Sequence, residues 1–329
     1  MNVSVIVCTY NPEYEVLNRC ISALINQDVE GLSSEIIVVD NNSTFDIAEL
    51  DFIQHAQTIS KKFCVISEKK PGLTYARICG VNASSGDILV FIDDDNEPDS
   101  NYLKNAYQLG IEHPALGAWG AGQITVEFLN KRTNWIDTFK TIFQEVNLPH
   151  LDMSSRPDWS GQLPVGTGLV CRKKAITQFL TFLSSQKSVV ADRTGTSLSS
   201  AGDTQMVLYI QQVGHLIARS PLLKINHLIS SRKQTIHYLK NVEYGCANSY
   251  DSARLSISPD LKEKLTDELP RGKVLIKWVV KLFITLPPVN RHKKIALAKE
   301  FGHIMSKYNA IKEQPPRWFN TLLNWYFSK

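Results

Sequence analysis

Four short apolar runs in the first hundred residues each end in a polar cluster, and helical patterns separate them. Val3–Cys8 is a continuous β-branched run of the kind a strand buried on both faces requires. Glu35–Val39, Phe63–Ile66 and Ile88–Ile92 repeat it. Between the first two, a helix is predicted from about Glu13, with Leu17, Ile21 and Leu24 on one face. Pro71-Gly72 opens another, bearing Leu73, Ala76, Arg77, Gly80 and Val81. Strands alternating with helices imply an α/β fold, a doubly wound and mostly parallel sheet flanked by helices. In such sheets ligands bind beyond the C-terminal ends of the strands. Thr9–Asn11, Asp40–Ser43 and Asp93–Asp95 are therefore expected around one crevice.

Past residue 100 the pattern loosens. Thr133–Phe143 has amphipathic helical spacing, with Trp135, Ile136, Phe139 and Phe143 on its apolar side. Val165–Val170 is predicted as a strand behind a tight turn, Asp203–Val213 as a helix and Leu216–Asn226 as a strand. From Arg271 onward 12 basic residues face 2 acidic ones, whereas the rest of the chain carries 24 against 30. An acidic body thus joins a basic tail, and only the tail suggests an anionic surface as partner. A helical segment (Val274 to Leu286) places Lys273, Lys277 and Lys281 on one stripe, and Pro287-Pro288 ends it. The expected division is residues 1–100 and 101–245 as two halves of one domain, with 246–329 as a helical C-terminal extension.

The six cysteines are scattered, without metal-ligand or paired spacing, and read as small core residues of a reducing compartment. No run reaches the about 18 apolar residues of a membrane span, and the opening run reads as a strand rather than a leader. The expected location is cytoplasmic, peripheral on the inner face of the cell membrane if the tail binds lipid. No nucleic-acid partner is expected.

Three adjacent carboxylates at a strand end repel one another and raise one another's pKa unless something neutralises them. A divalent cation of the Mg²⁺ or Mn²⁺ type does so, taking carboxylate oxygens while leaving positions for phosphate. The bland alternative is a solvated acidic turn.

VSVIVCTYN (Val3–Asn11), EIIVVDNNS (Glu35–Ser43), PGLTYAR (Pro71–Arg77) and DILVFIDDDNEPD (Asp87–Asp99) resemble the successive signatures of family 2 glycosyltransferases, enzymes of the GT-A fold. The resemblance extends over roughly residues 1–245. It implies an inverting transfer of one sugar from a nucleotide-diphosphate sugar to a hydroxyl of a glycan or lipid-linked acceptor. Cell-surface polysaccharide biosynthesis is the setting expected. UDP is the first choice of nucleotide, with dTDP and GDP open. The resemblance implies that Thr9, Tyr10 and Asn11 line the base and ribose pocket and that Asp40 bonds the base. It also implies that Gly72 and Arg77 approach the donor, that Asp94 reaches the ribose, and that Asp93 and Asp95 form the D-x-D. Asp95 is the expected direct ligand of Mn²⁺ or Mg²⁺, with Asp93 beside it. His227 matches a family histidine that could complete the metal shell; the alternative is a structural histidine. Thr167 and Gly168 align with the stretch facing the acceptor, and Trp159 is a candidate to stack on a sugar.

Inversion needs a general base, which the family supplies as a carboxylate in an acidic pair. Here the pair has become Gly202-Asp203. Asp203 is the candidate base, with a helix N-cap as its alternative and Asp192 as runner-up. Arg232 lies in a candidate loop over the phosphates. Gln314-Pro315-Pro316-Arg317-Trp318 fits the Q-x-x-R-W of processive members, but it stands 111 residues beyond Asp203 and holds two prolines. It reads as coincidence, so single-sugar transfer is expected. Two other functions compete with this one. A nucleotidyltransferase would show a Gly-rich basic loop where Thr9-Tyr10-Asn11-Pro12 stands. A non-catalytic glycan- or membrane-binding protein on a degenerate transferase fold is the other. For the tail, lying in a membrane interface and packing on protein are equally compatible with the sequence.

Overall fold

The computed structural model describes residues 2–131, 133–155, 163–185, 202–285 and 290–328. The chain divides into two compact units, Met1–Val189 with Met206–Ser230, and Val190–Gln205 with Ser231–Lys329.

The first unit is built on one sheet. Its first half runs β1 (Val3–Thr9), α1 (Tyr14–Ile25), β2 (Ser34–Asp40), α2 (Asp51–Ile59), β3 (Phe63–Ser67), α3 (Leu73–Ala83) and β4 (Ile88–Asp93). There follow β5 (Asn96–Pro98), α4 (Tyr102–Glu112), β6 (Leu116–Phe128), β7 (Val146–Asn147) and β8 (Asp152–Ser154). The unit continues through β9 (Leu169–Arg172), α5 (Lys173–Ser185), α6 (Gly202–Gln212), which begins in the second unit, and β10 (Leu216–Ile229). The strand order is β3-β2-β1-β4-β9-β6-β10-β5, with β7 beside β6 and β8 beside β10.

β3, β2, β1 and β4 pair in parallel, as their buried β-branched runs require. Val3, Val5 and Val7 join the core with Leu17, Ile21, Ile53 and Ala106, while α3 packs on β1 and β2. β9 pairs antiparallel to both β4 and β6, and β10 runs parallel to β6 but antiparallel to β5 and β8. The parallel, doubly wound half is the expected one; the other half is mixed. Periodicity did not announce β6, whose inner residues are buried on both faces and whose glycines weaken the strand signal. The predicted strand 165–170 is shorter and later, Leu169–Arg172, because residues 166–168 form the turn. The predicted helix 133–143 is a 3-10 helix, Asn134–Phe143, which still buries Ile136, Phe139 and Phe143.

The second unit is helical: α7 (Ile236–Ile257), α8 (Leu261–Asp267), α9 (Lys273–Thr285), α10 (Arg291–Ile311) and α11 (Arg317–Ser328). α7 spans residues 245 and 246, and the unit joins Ser231–Lys329 to Val190–Gln205. Leu275, Leu297, Phe301, Ile304, Phe319 and Tyr326 form its core. Lys240 is buried there, with Nζ donating to Tyr326 O at 2.9 Å, and burial lowers its pKa. Pro315 and Pro316 precede α11 rather than sitting in it, as a proline-broken start predicts. No described helix is long and apolar enough to cross a membrane. All six cysteines are free thiols; Cys20 and Cys171 are buried as expected, whereas Cys64 and Cys246 are exposed.

Candidate active site

Strand register decides which polar clusters meet. Thr9 is the β-partner of Asp40, and Cys8 the partner of Asp93, so the C-terminal ends of β1, β2 and β4 lie side by side. Three clusters separated by tens of residues thus share one sheet edge, the ligand edge of an open α/β sheet.

Hydrogen bonds fix the edge. Thr9 Oγ1 donates to Asp94 Oδ2 at 2.5 Å, tying β1 to the aspartate run. The Asn11 amide donates to Ser43 Oγ at 2.9 Å, and Asn11 Oδ1 accepts from the Thr44 amide at 2.8 Å. Asn11 adopts φ 46°, a left-handed conformation that asparagine tolerates. Asp40 Oδ1 accepts from the Ser43 amide at 3.0 Å. Tyr10, next to Thr9, is 53% exposed and so is no part of the core.

Asn41, which the sequence showed only as one polar residue among several, proves to be the clamp. Its Nδ2 donates to Glu68 O and Lys70 O at 3.0 and 2.8 Å, and its Oδ1 accepts from the Gly72 amide at 2.8 Å. It is 7% exposed, so these bonds satisfy a side chain largely removed from water. The clamp sets the start of α3, where Gly72 takes φ 130°, a backbone that side-chain-bearing residues avoid. One turn on, Arg77 is buried. Its positive charge opposes the effect of burial on the Cys8 thiol, which is nevertheless pushed up to about 12, with Asp93 and Asp94 adding to the rise.

Asp95 and His227 come together although 132 positions separate them. His227 pairs with Asn96 across β10 and β5, and the Leu228 amide donates to Asp95 O at 2.8 Å. His227 Nδ1 lies 2.9 Å from Phe143 O, and the two rings meet edge to face. A carbonyl only accepts, so Nδ1 carries the hydrogen. Nε2 faces Asp95 Oδ2, 3.5 Å away. Two acceptors face each other unless a proton or a cation stands with them, and a carboxylate with an imidazole is a donor set that suits a divalent ion. A histidine whose other nitrogen bonds a backbone carbonyl is the usual arrangement of a metal ligand. Mn²⁺ or Mg²⁺ therefore fits Asp95 and His227. Among the described residues no three His, Cys, Asp or Glu side chains form a metal-holding group.

A charged network supports the same strands. Arg19 bonds Glu97 through Nε and Nη2, both at 2.6 Å, and Glu127 at 2.8 and 2.9 Å. Asn226, beside His227, donates to both glutamates. Arg19 hydrogen bonding pulls the Glu127 carboxyl from 4.5 down to about 2. Glu97 lies within the aspartate motif, but nothing there marks it as a partner of Arg19, which is itself one polar residue on a helix with no distinctive spacing.

Gly168 has φ 73°, and a β-carbon there would overlap the Ile225 side chain and the Tyr102 hydroxyl, which donates to Gly168 O. Packing thus requires a glycine at this position, independently of any acceptor. Thr167 beside it is buried. Asp203 stands in the first turn of α6, within the second unit, where its Oδ1 accepts from the Thr204 amide at 2.8 Å. A carboxylate there also suits the helix dipole. Arg232 is exposed in a 3-10 turn, Ser231–Lys233, rather than a loop. Trp159 and Asp192 lie outside the described residues.

The sequence pattern of Glycosyl transferase family 2 matches residues 4–179, more than half of the chain. The chain belongs to that family. Its mixed, helix-flanked sheet is the GT-A-type arrangement expected of a member. The chain is 35% identical over 102 residues to the inactive polypeptide N-acetylgalactosaminyltransferase-like protein 5 of Mus musculus, a match covering 31% of this chain and 24% of that protein. It is 34% identical over 121 residues to the glucosyl-dolichyl phosphate glucuronosyltransferase of Haloferax volcanii, covering 36% and 37%. These matches thus span only about a quarter to a third of the relatives' length. S. aureus TarS 1–349 aligns with a TM-score of 0.49 at 16% identity, over 95% of this chain and 90% of that one.

Proposed function

We propose that this family 2 member is an inverting glycosyltransferase that moves one sugar from a nucleotide-diphosphate donor to a hydroxyl of a glycan or lipid-linked acceptor. UDP is the favoured nucleotide. The observation that carries the reading is the sheet edge at which Thr9, Asp40 and Asp93–Asp95 meet, with Asp95 facing His227. A lipid-linked acceptor has support in the name of the Haloferax volcanii relative, which acts on a dolichyl phosphate-linked sugar. Cell-surface polysaccharide synthesis is the setting we assign.

In this reading Thr9, Tyr10, Asn11 and Asp40 receive the nucleoside. Gly72 lets the backbone approach the donor, and Arg77 and Asp94 orient it. Asp95 and His227 would hold Mn²⁺ or Mg²⁺, with Asp93 as the other acidic residue of the D-x-D. The ion supplies stabilisation of the charge that develops on the leaving nucleoside diphosphate. Thr167, Gly168 and Trp159 are assigned to the acceptor. Asp203 takes the proton from the acceptor hydroxyl; this role rests on the family pattern and on what an inverting displacement requires.

One matched relative is named inactive, so a non-catalytic role on the same fold is the competing reading. Calorimetric titration of UDP, dTDP and GDP, with and without Mn²⁺, separates the two. Metal-dependent binding of one nucleotide, followed by turnover of its sugar conjugate, is the expected result. A folded protein that binds none of the three overturns the proposal.

A further inference from the structure

α9 has two faces of different fate. Leu275 is fully buried in the core of the helical unit, with Trp278 packed against it. The opposite side exposes Ile276, Val280 and Ile284 at 55, 51 and 69%. These three stand four residues apart and form a continuous aliphatic stripe. Lys273, Lys277 and Lys281 repeat with the same spacing along its border, and all three are exposed. α9 contains no acidic residue, and among the described residues no carboxylate forms an ion pair with these lysines.

Scattered exposed aliphatics are ordinary, but a contiguous stripe with one sign of charge along it is not. A second apolar edge lies on α11, where Trp318 and Trp325 are exposed two helical turns apart on one side. Tryptophan at a surface favours the boundary between apolar and aqueous media. The segment from Arg271 onward is also the strongly basic part of the chain, 12 basic residues to 2 acidic.

We infer that α9 docks in the plane of an anionic phospholipid bilayer. Ile276, Val280 and Ile284 enter the acyl boundary, and Lys273, Lys277 and Lys281 lie among the headgroup phosphates. Charge complementarity selects this occupant over a second copy of the chain. A two-fold contact through the same face would set the lysine row against itself, with no acidic residue on the helix to answer it. The inference stands on the helical unit alone and does not depend on the transfer reaction.

Flotation of the full chain tests it, using vesicles of phosphatidylcholine alone and of phosphatidylcholine mixed with phosphatidylglycerol. The chain should float with the anionic vesicles, and less so as salt rises. Replacing the three lysines together by Gln should weaken anionic-vesicle binding by about 100-fold, at about one kcal/mol for each lysine. The triple change Ile276→Ser, Val280→Ser and Ile284→Ser should weaken it by a similar factor or more. Both sets lie at the surface, and unchanged thermal unfolding would show them folded. Failure of the unaltered chain to float on anionic vesicles overturns the inference. So does flotation that neither set diminishes. A dimer in sedimentation velocity that the serine set dissociates, with no flotation, would give the face to a second copy instead.

Discussion

Replacing Arg19 by Met tests whether the charged network holds the strands that carry His227. Arg19 bridges Glu97 and Glu127, and Asn226 donates to both. Removing it leaves two carboxylates sharing one amide. The Arg19, Glu97 and Glu127 side chains are 34, 21 and 41% exposed. The figure for breaking a fully buried pair, about 3–5 kcal/mol, is therefore too large. Isolated surface pairs give about 0.2–1 kcal/mol. Two multiply bonded pairs in one network fall between these limits, so the expected Arg19–Glu127 coupling is about 1–2 kcal/mol. Urea unfolding of the wild type, Arg19→Met, Glu127→Gln and the double variant, at low salt, yields the coupling directly. The pH dependence supplies a second reading. The folded state holds Glu127 at about 2 instead of 4.5, so its stabilisation is complete above 4.5 and disappears as pH falls toward 2. Arg19→Met should flatten this acid limb. A coupling below about 0.3 kcal/mol, or an unchanged limb, would refute the network as a support.

Three further outcomes are expected. Asp95→Ala and His227→Ala should each remove most of the Mn²⁺-dependent gain in UDP affinity, as should chelation of the metal; titrations unchanged by either substitution would take that residue out of the ligand set. Asp203→Asn should leave UDP binding intact while turnover falls by roughly 10²–10⁴, and full activity would dismiss it as base. Gly168→Ala should cost about 2–4 kcal/mol, because positive φ and the overlap with Ile225 and Tyr102 act together. An unfolding midpoint equal to wild type would show that the turn can relax.

Much of the candidate site's sheet edge was legible in the sequence because one rule reaches across the chain. A buried parallel strand must be apolar along its length, so its first polar residues mark where it leaves the sheet. Val3–Thr9, Ser34–Asp40 and Ile88–Asp93 each end in this way, and the registers set Thr9 beside Asp40 and Cys8 beside Asp93. Thr9, Asp40 and the aspartates could be named before any coordinates. Tertiary structure alone decided the rest. Arg19, Glu97, Glu127 and Asn226 come from four elements, and only the mixed half of the sheet, with β10 between β6 and β5, brings them within bonding distance. Asn41 looked like any turn residue until burial gave its amide three partners. Gly168 carried the same letter whether it made room for an acceptor or for Tyr102. On α9 the lysine stripe was visible in the sequence, but a wide apolar face fits a buried helix and an interfacial one equally well. Packing broke the tie, burying Leu275 and leaving Ile276, Val280 and Ile284 in the open. Periodicity fixes which residues share a face, and only the neighbours determine whether that face is covered.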